Sequence, residues 1–219
     1  MKIYVVGSSK NKFLPLDNIR EKFLIDEKHE GINIDFLNPW FCEITGLYYL
    51  INNTKDEVIG LEHYRNYFYD RNLLCEKEIN KLLIDNDIIC SSADTPLPLK
   101  TELHILTHGF DKPFMDMLKI KDENFYNFLT TYLDQKRFYW CNCFIGKRPV
   151  IEKWYNYFFN IIIEFEKTYT LQKSPVRREG FFAEYLFGAW LEYNNYKIVH
   201  SNMTKFNKDL SGVERFAKL

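Results

Sequence analysis

The 219-residue sequence predicts an α/β fold with a mainly parallel central sheet, and three observations carry that expectation. Short apolar runs that read as buried strands alternate with longer segments of helical periodicity. The longer segments place apolar residues three and four apart, the spacing of a helix face against a sheet. No internal repeat, low-complexity tract or Pro/Gly/Ser linker divides the chain, so residues 1–219 are expected to form one domain, as the length allows.

Taken in order, residues 3–6 read as a first strand and Gly7-Ser8-Ser9 as the turn at its end. Residues 11–37 read as polar and irregular, punctuated by Pro15 and Gly31. Ile44, Leu47, Tyr48 and Ile51 predict a helix over 43–52, and Asn38-Pro39 suits its start. Residues 58–61 form a second buried strand, residues 79–84 close a helix, and 88–90 form a third strand. Pro96, Pro98 and Gly109 predict a long loop over 91–112. Helices follow at 124–133, 149–167 and 180–193, with a strand at 138–145, a polar loop at 168–178 and a short last strand at 197–200.

Composition narrows the function. Apolar and charged shares of 46% and 27% are those of a folded globular protein. A formal net charge of -1 argues against a broad nucleic-acid surface, which needs a basic excess. Aromatic residues reach 17%, supplying core volume as well as faces on which sugars and bases stack. Five cysteines without framework spacing and without a CxxC pair point to a reduced, cytoplasmic compartment and away from structural zinc. The opening Met1-Lys2-Ile3-Tyr4-Val5-Val6-Gly7 lacks a signal-peptide pattern. No run approaches the roughly 18–20 apolar residues that span a bilayer, so membrane association would be peripheral.

In a parallel α/β sheet, ligands sit beyond the carboxyl ends of the strands. Glu62-His63-Tyr64-Arg65 follows such a strand directly. Arg65 suits bidentate phosphate contact, and His63 a hydrogen bond or a proton. Departure of a nucleoside diphosphate needs such charge neutralisation. The structural alternative pairs Arg65 with Glu43 or Glu62.

These residues carry a resemblance. Asn38-Pro39-Trp40-Phe41-Cys42-Glu43-Ile44-Thr45-Gly46-Leu47-Tyr48-Tyr49, followed by Ile59-Gly60-Leu61-Glu62-His63-Tyr64-Arg65-Asn66-Tyr67-Phe68, resembles the capsular-polysaccharide-synthesis family, with its NPxxCExTxLYW helix and GLxHYRRYF strand end. Residues 142–145 are similar to that family's NMFIM, and 180–186 to its helix R…SELLxxxWLE. The family was long labelled a domain of unknown function and is linked to glycosyltransferases of the GT-A-like nucleotide-sugar fold. Asn66 departs from it, standing where a second Arg is usual.

The resemblance implies a Rossmann-like, GT-A-like fold and transfer of a sugar from a nucleoside diphosphate donor, uridine-linked galactose in pyranose or furanose form being the first candidate. The acceptor would be a cell-surface glycan or a lipid-linked oligosaccharide, bringing the protein to the inner face of the membrane. Arg65, Tyr64, Glu43, Gly7 and Asn142 are the donor-site candidates. A different class of function, a carbohydrate-binding or scaffolding subunit without catalysis, draws on Asn66 and on the missing metal motif.

Three further features stay open on residue grounds. Asp85-Asn86-Asp87 spells the Asp-x-Asp that holds Mn²⁺ or Mg²⁺ in many GT-A enzymes, but it precedes a strand and reads as a turn. A metal-free site is therefore the expectation, with the two ions kept as the alternative cofactor. His104 and His108 have helical spacing but no third ligand, leaving His108 as an acceptor-side contact or a surface residue. On the acceptor side, Asn142 meets sugar hydroxyls or neighbouring backbone, and Trp140 stacks on a sugar or packs the core. Glu184 lies on an otherwise apolar helix and is the first candidate for general base, with His63 beside it in the catalytic pair; Glu43 is second as base and otherwise orients Arg65. The alternative pairs Glu184 with Arg177 or Arg178, which themselves meet phosphate or solvent.

Overall fold

A computed structural model describes residues 1–13, 15–70, 72–169, 177–206 and 213–215, with backbone alone at Asp70, Trp140, Cys141, Lys205, Phe206 and 213–215. The chain begins with β1 (Lys2–Gly7), β2 (Arg20–Leu24), α1 (Asn38–Phe41), α2 (Ile44–Asn53) and β3 (Val58–His63). It continues through β4 (Asn66–Asp70), β5 (Asn72–Leu73), α3 (Glu76–Leu83), β6 (Ile88–Asp94), α4 (Leu99–Leu106), α5 (Asp111–Lys121) and α6 (Glu123–Tyr132). The last elements are β7 (Arg137–Lys147), α7 (Arg148–Thr168), α8 (Arg178–Tyr193), β8 (Ile198–His200), β9 (Met203–Phe206) and β10 (Val213–Arg215).

The central strands lie in the order β2-β1-β3-β7-β6-β8. Five run the same way and only β7 runs against them, as its antiparallel ladders to β3 and β6 require. The mostly parallel α/β sheet expected from the sequence is what forms. An antiparallel extension, β4-β9-β10, continues one edge beyond β3.

Strand alternation sorts the core. Tyr4, Val6, Ile59, Leu61 and Phe144 face the larger apolar layer formed with α2, α4, α7 and α8. Ile3, Ile89, Cys143 and Ile145 face the opposite way, onto α3 and Phe68. The same alternation sends Glu62 and His63 to opposite faces of β3, and this decides their different fates.

Three segments differ from expectation. Residues 11–37 contain β2, whose sequence REKFL buries Arg20 and Phe23 while exposing Glu21 and Lys22. It gives no apolar run because it is an edge strand carrying a buried charge. Residues 91–112 contain α4 and the start of α5. Pro98 stands just outside the first turn of α4, where a missing N–H costs nothing, so it admits the helix instead of breaking it. The helix expected from Asn38 onward is two pieces, because Cys42 turns with φ of 50° between α1 and α2.

Candidate functional site

The carboxyl ends of β1 and β3 lie side by side, with Val6 paired to His63 in parallel register. The Tyr64 amide donates to Val6 O at 2.9 Å, and the Ile25 amide to Gly7 O at 2.8 Å. Gly7 is required by close approach: a Cβ there would stand 2.8 Å from the Phe13 ring and 2.9 Å from Tyr64 Cβ. Beyond these ends opens a cleft of about 430 Å³, lined by Gly7, Ser8 and Asn11 on one side, Asn38, Pro39, Cys42 and Glu43 on another, and His63, Tyr64, Arg65 and Arg177 across it.

Each wall has a local cause. After β1, the Ser8 amide donates to Asn11 Oδ1 at 2.6 Å, and the Ser9 amide and hydroxyl both donate to Asp26, clamping this turn to the loop after β2. In the second wall Asn38 Nδ2 donates to Ile25 O at 2.6 Å, while Thr45 Oγ1 lies between Asn38 Oδ1 and Cys42 O. The left-handed turn at Cys42 ends α1 and places Glu43 at the N-cap of α2, beside the cleft. Gly180 lets α8 close on this turn, since a Cβ there would stand 3.3 Å from Cys42 Cβ.

Four ionisable groups converge. His63 Nε2 faces Glu43 Oε1 at 3.7 Å, and His63 Nδ1 accepts from the Arg65 amide at 3.3 Å. An accepting Nδ1 carries no proton, so the ring is the neutral Nε2–H tautomer. Burial, and then the charges of Arg65 and Arg177, push His63 down to about 3. Burial raises the Glu43 carboxyl above its ordinary range, opposed by its own backbone bond and by Arg177 and Arg65. Arg65 stacks its guanidinium 5.1 Å from the Tyr64 ring centroid, and its buried Nε has no partner among the described residues. Arg177, the N-cap of α8, has φ of 68°, donates its amide to Pro39 O at 2.8 Å and lies 5.1 Å over the Phe181 ring.

The cleft therefore gathers Gly7, Glu43, His63, Tyr64 and Arg65 from the sequence candidates and leaves others elsewhere. Asn142 is buried at a break in the β6–β7 register, with φ of 53°, and donates to Gly180 O at 3.3 Å. Glu184 is half-buried on α8 and acts electrostatically on Arg177 and Cys42 without lining the cleft. His108 is exposed in the turn between α4 and α5. The Trp140 side chain lies outside the described residues. Arg177 completes the site, and its place depends on the fold more than on any local pattern. Ser8 and Asn11 carried one weak signal, small polar residues just past a buried strand.

Asp85-Asn86-Asp87 sits at the opposite edge, ahead of β6, where Asp87 accepts from the Lys197 amide at 2.9 Å and faces Lys147 at 3.6 Å. Within the cleft, the one lining carboxylate among the described residues is Glu43, flanked by two arginines. That donor set suits an anion, and it does not fit Mn²⁺ or Mg²⁺, which take several oxygen ligands and are repelled by guanidinium.

Residues 2–195 match the family described as a domain of unknown function, DUF4422. The chain belongs to the DUF4422 family. Both cleft-forming motifs, around Asn38 and around His63, fall inside the matched region. No curated protein matches the chain. Among solved structures, the apo bifunctional glycosyltransferase WbbM superposes with a TM-score of 0.75 at 16% identity. The match covers 100% of this DUF4422 chain and 46% of the WbbM chain, so the protein spans under half of that relative's length. At this identity the likeness is one of fold, in accord with a GT-A-like architecture. Among the described residues, no helix is long and apolar enough to cross a membrane.

Proposed function

We propose that this DUF4422 protein is a glycosyltransferase whose cleft binds the diphosphate of a nucleoside diphosphate sugar through Arg65 and Arg177, with no metal ion. The observation that carries the reading is the pairing of two arginines with a neutral His63 at the carboxyl ends of β1 and β3, one of them with a buried Nε that has no described partner. Such a group has lost water without gaining a hydrogen bond, a cost that an anionic ligand offsets. The fold shared with a protein titled a bifunctional glycosyltransferase supports the same reading.

In this reaction an acceptor hydroxyl attacks the anomeric carbon as the bond from that carbon to the diphosphate oxygen breaks. Charge builds on the departing diphosphate, where Arg65 and Arg177 stabilise it. The hydroxyl proton passes to Glu43, whose raised affinity for a proton suits a general base. The neutral Nε2–H of His63 stands 3.7 Å from Glu43 Oε1, close enough to turn a donor toward that carboxylate as the cleft fills. Glu184, acting on Arg177, belongs to the surroundings of the phosphate-binding charge. The donor sugar we favour is uridine-linked galactose, as pyranose or furanose, and the acceptor a bacterial capsular or lipopolysaccharide-type glycan at the inner membrane face.

Calorimetric titration with UDP, with Mn²⁺ and with chelator, tests the reading. Binding that survives chelator is expected. Absence of binding to UDP and to other nucleoside diphosphates would favour the non-catalytic carbohydrate-binding alternative.

A further inference from the structure

The residue after Arg177 is an arginine of a different kind. Arg178 is 0% exposed, and its guanidinium lies between the Phe110 and Phe165 rings, 4.9 Å from each centroid. Its Nε donates to Glu179 Oε1, and its Nη2 to Glu166 at the end of α7 and to Tyr169 O at 3.0 Å. Glu179 is also fully buried, and its Oε2 lacks an acceptor's partner. Burying one guanidinium with two carboxylates is costly unless the charges balance. They balance when Glu179 carries a proton and donates it to Glu166. Burial first, and then the bond to Glu166, push the Glu179 carboxyl up to about 8, against the pull of Arg178.

This network lies at the first turn of α8, one residue from a left-handed N-cap. A non-glycine residue with φ near 68° persists only where its surroundings hold it. The Arg177 backbone is held by the bond from its amide to Pro39 O and by the helix that starts at Arg178, while its side chain hydrogen-bonds Cys42 and stacks on Phe181. We propose that the buried Arg178–Glu166–Glu179 network is a positioning device that fixes the start of α8 and so holds the Arg177 guanidinium at the cleft. None of the three touches the cleft, yet donor affinity depends on them. The step from Arg177 to donor rests on the reading above; the step from the network to Arg177 does not.

The described charged groups acting on Glu179 are Arg178 on its own helix and Glu166 on α7; Phe110, from the start of α5, presents a ring, and Tyr169 a carbonyl. Ionisation of Glu179 leaves one buried and one half-buried carboxylate against one guanidinium, which loosens the join of α7 to α8. The network therefore holds while Glu179 keeps its proton and weakens in alkali as that proton is lost.

The test uses the full chain with three variants, Glu166→Gln, Arg178→Lys and Glu179→Gln. The first readout is hydrogen exchange at the Arg177 and Phe181 amides, which donate to Pro39 O and Arg177 O. The second is UDP affinity. At neutral pH, Glu166→Gln and Arg178→Lys are expected to exchange about ten-fold faster at both amides, with β1 and β3 unchanged, and to bind UDP about ten-fold more weakly. Glu179→Gln keeps the donor that the protonated acid supplies, so it exchanges like wild type and retains protection at about pH 9, where wild type loses it. Unchanged exchange in both Glu166→Gln and Arg178→Lys overturns the proposal, as does a Glu179→Gln protein that loses protection at the same alkaline pH as wild type. If wild type binds no UDP, the donor reading falls, and the exchange data still decide the positioning role.

Discussion

Two arginine–glutamate groups stand on either side of the same strand, and their difference separates scaffold from site. On one face of β3, Glu62 is 1% exposed and receives Arg20 twice, at 2.7 and 3.1 Å, together with the Phe68 amide at 3.0 Å. Arg20 also donates to Asp17 and to Leu74 O. Both charges have their partners within the protein. One residue on, the opposite face presents His63, with Glu43 3.7 Å away and Arg65 carrying a buried Nε without a described partner. The saturated pair holds five segments together: Asp17, β2, β3, the middle of β4 and Leu74 just after β5. The unsaturated group lines the cleft and keeps a buried donor without a described partner. Both groups pair arginine with glutamate, but the first is buried and saturated, while Glu43, His63 and Arg65 are half-buried at the cleft and not saturated.

The largest effect on stability should come from the saturated side. Arg20→Ala leaves the Glu62 carboxylate buried and alone, and removing one member of a buried pair costs about 3–5 kcal/mol. Chemical denaturation should show that loss. The protein that remains folded should bind UDP as wild type does, because Arg20 does not line the cleft. A stable Arg20→Ala protein with impaired nucleotide binding would break the division between the faces.

On the unsaturated side, Glu43→Gln should lower transfer by about 10²–10⁴ while UDP affinity stays within a few-fold, the signature of a lost general base. Glu184→Gln serves as its counterpart. If the Glu184 variant loses transfer and the Glu43 variant does not, the base lies on α8 and the cleft carboxylate is a support. Next in size, Arg65→Ala should weaken UDP binding about 10–100-fold, the loss of a charge-assisted contact, with little change in melting temperature. A large fall in stability instead would show that Arg65 is a second Arg20.

How much of this was legible in the sequence follows from the same contrast. The alternation of apolar runs and helical spacings was sufficient for five of the six central strands, because each of these shows itself as a hydrophobic run. It missed β2, since Arg20 occupies the inward position where an apolar residue would have signalled a strand, and its partner Glu62 lies 42 residues away. The segment Glu62-His63-Tyr64-Arg65 was visible as a polar cluster at a strand end. That Glu62 leaves it for the other face is a consequence of alternation. Arg177 and Arg178 were legible as a basic pair that meets phosphate or solvent, but which of them lines the cleft was not, because the contact of Arg177 with Pro39 joins residues 138 apart through a left-handed turn that no local pattern encodes. The place of Asn142, which donates to Gly180 O and does not line the cleft, was not legible for a related reason. The break in the β6–β7 register interrupts strand alternation at that point, so its face could not be counted from its neighbours.

The last expected effect concerns protons, and it asks whether His63 belongs to the site or to the scaffold in its acid–base behaviour. Its pKa in the fold is near 3, against about 6.5 for an exposed imidazole. Between those values the unfolded chain holds a proton that the folded chain does not. Stability attributable to this residue therefore falls as pH drops from about 6.5 toward 3, and is fully present above 6.5. In His63→Gln, which keeps a donor but cannot titrate, that acid limb should disappear. Melting temperature relative to wild type should then move in the variant's favour between about pH 7 and pH 4. UDP affinity of wild type should stay flat from about pH 5 to 8, since a neutral ring gains no charge there. A rise in affinity below about pH 6.5 that vanishes in His63→Gln would mean that His63 takes up a proton when the diphosphate arrives. The ligand's charge would then outweigh the two arginines that keep the ring neutral in the free protein.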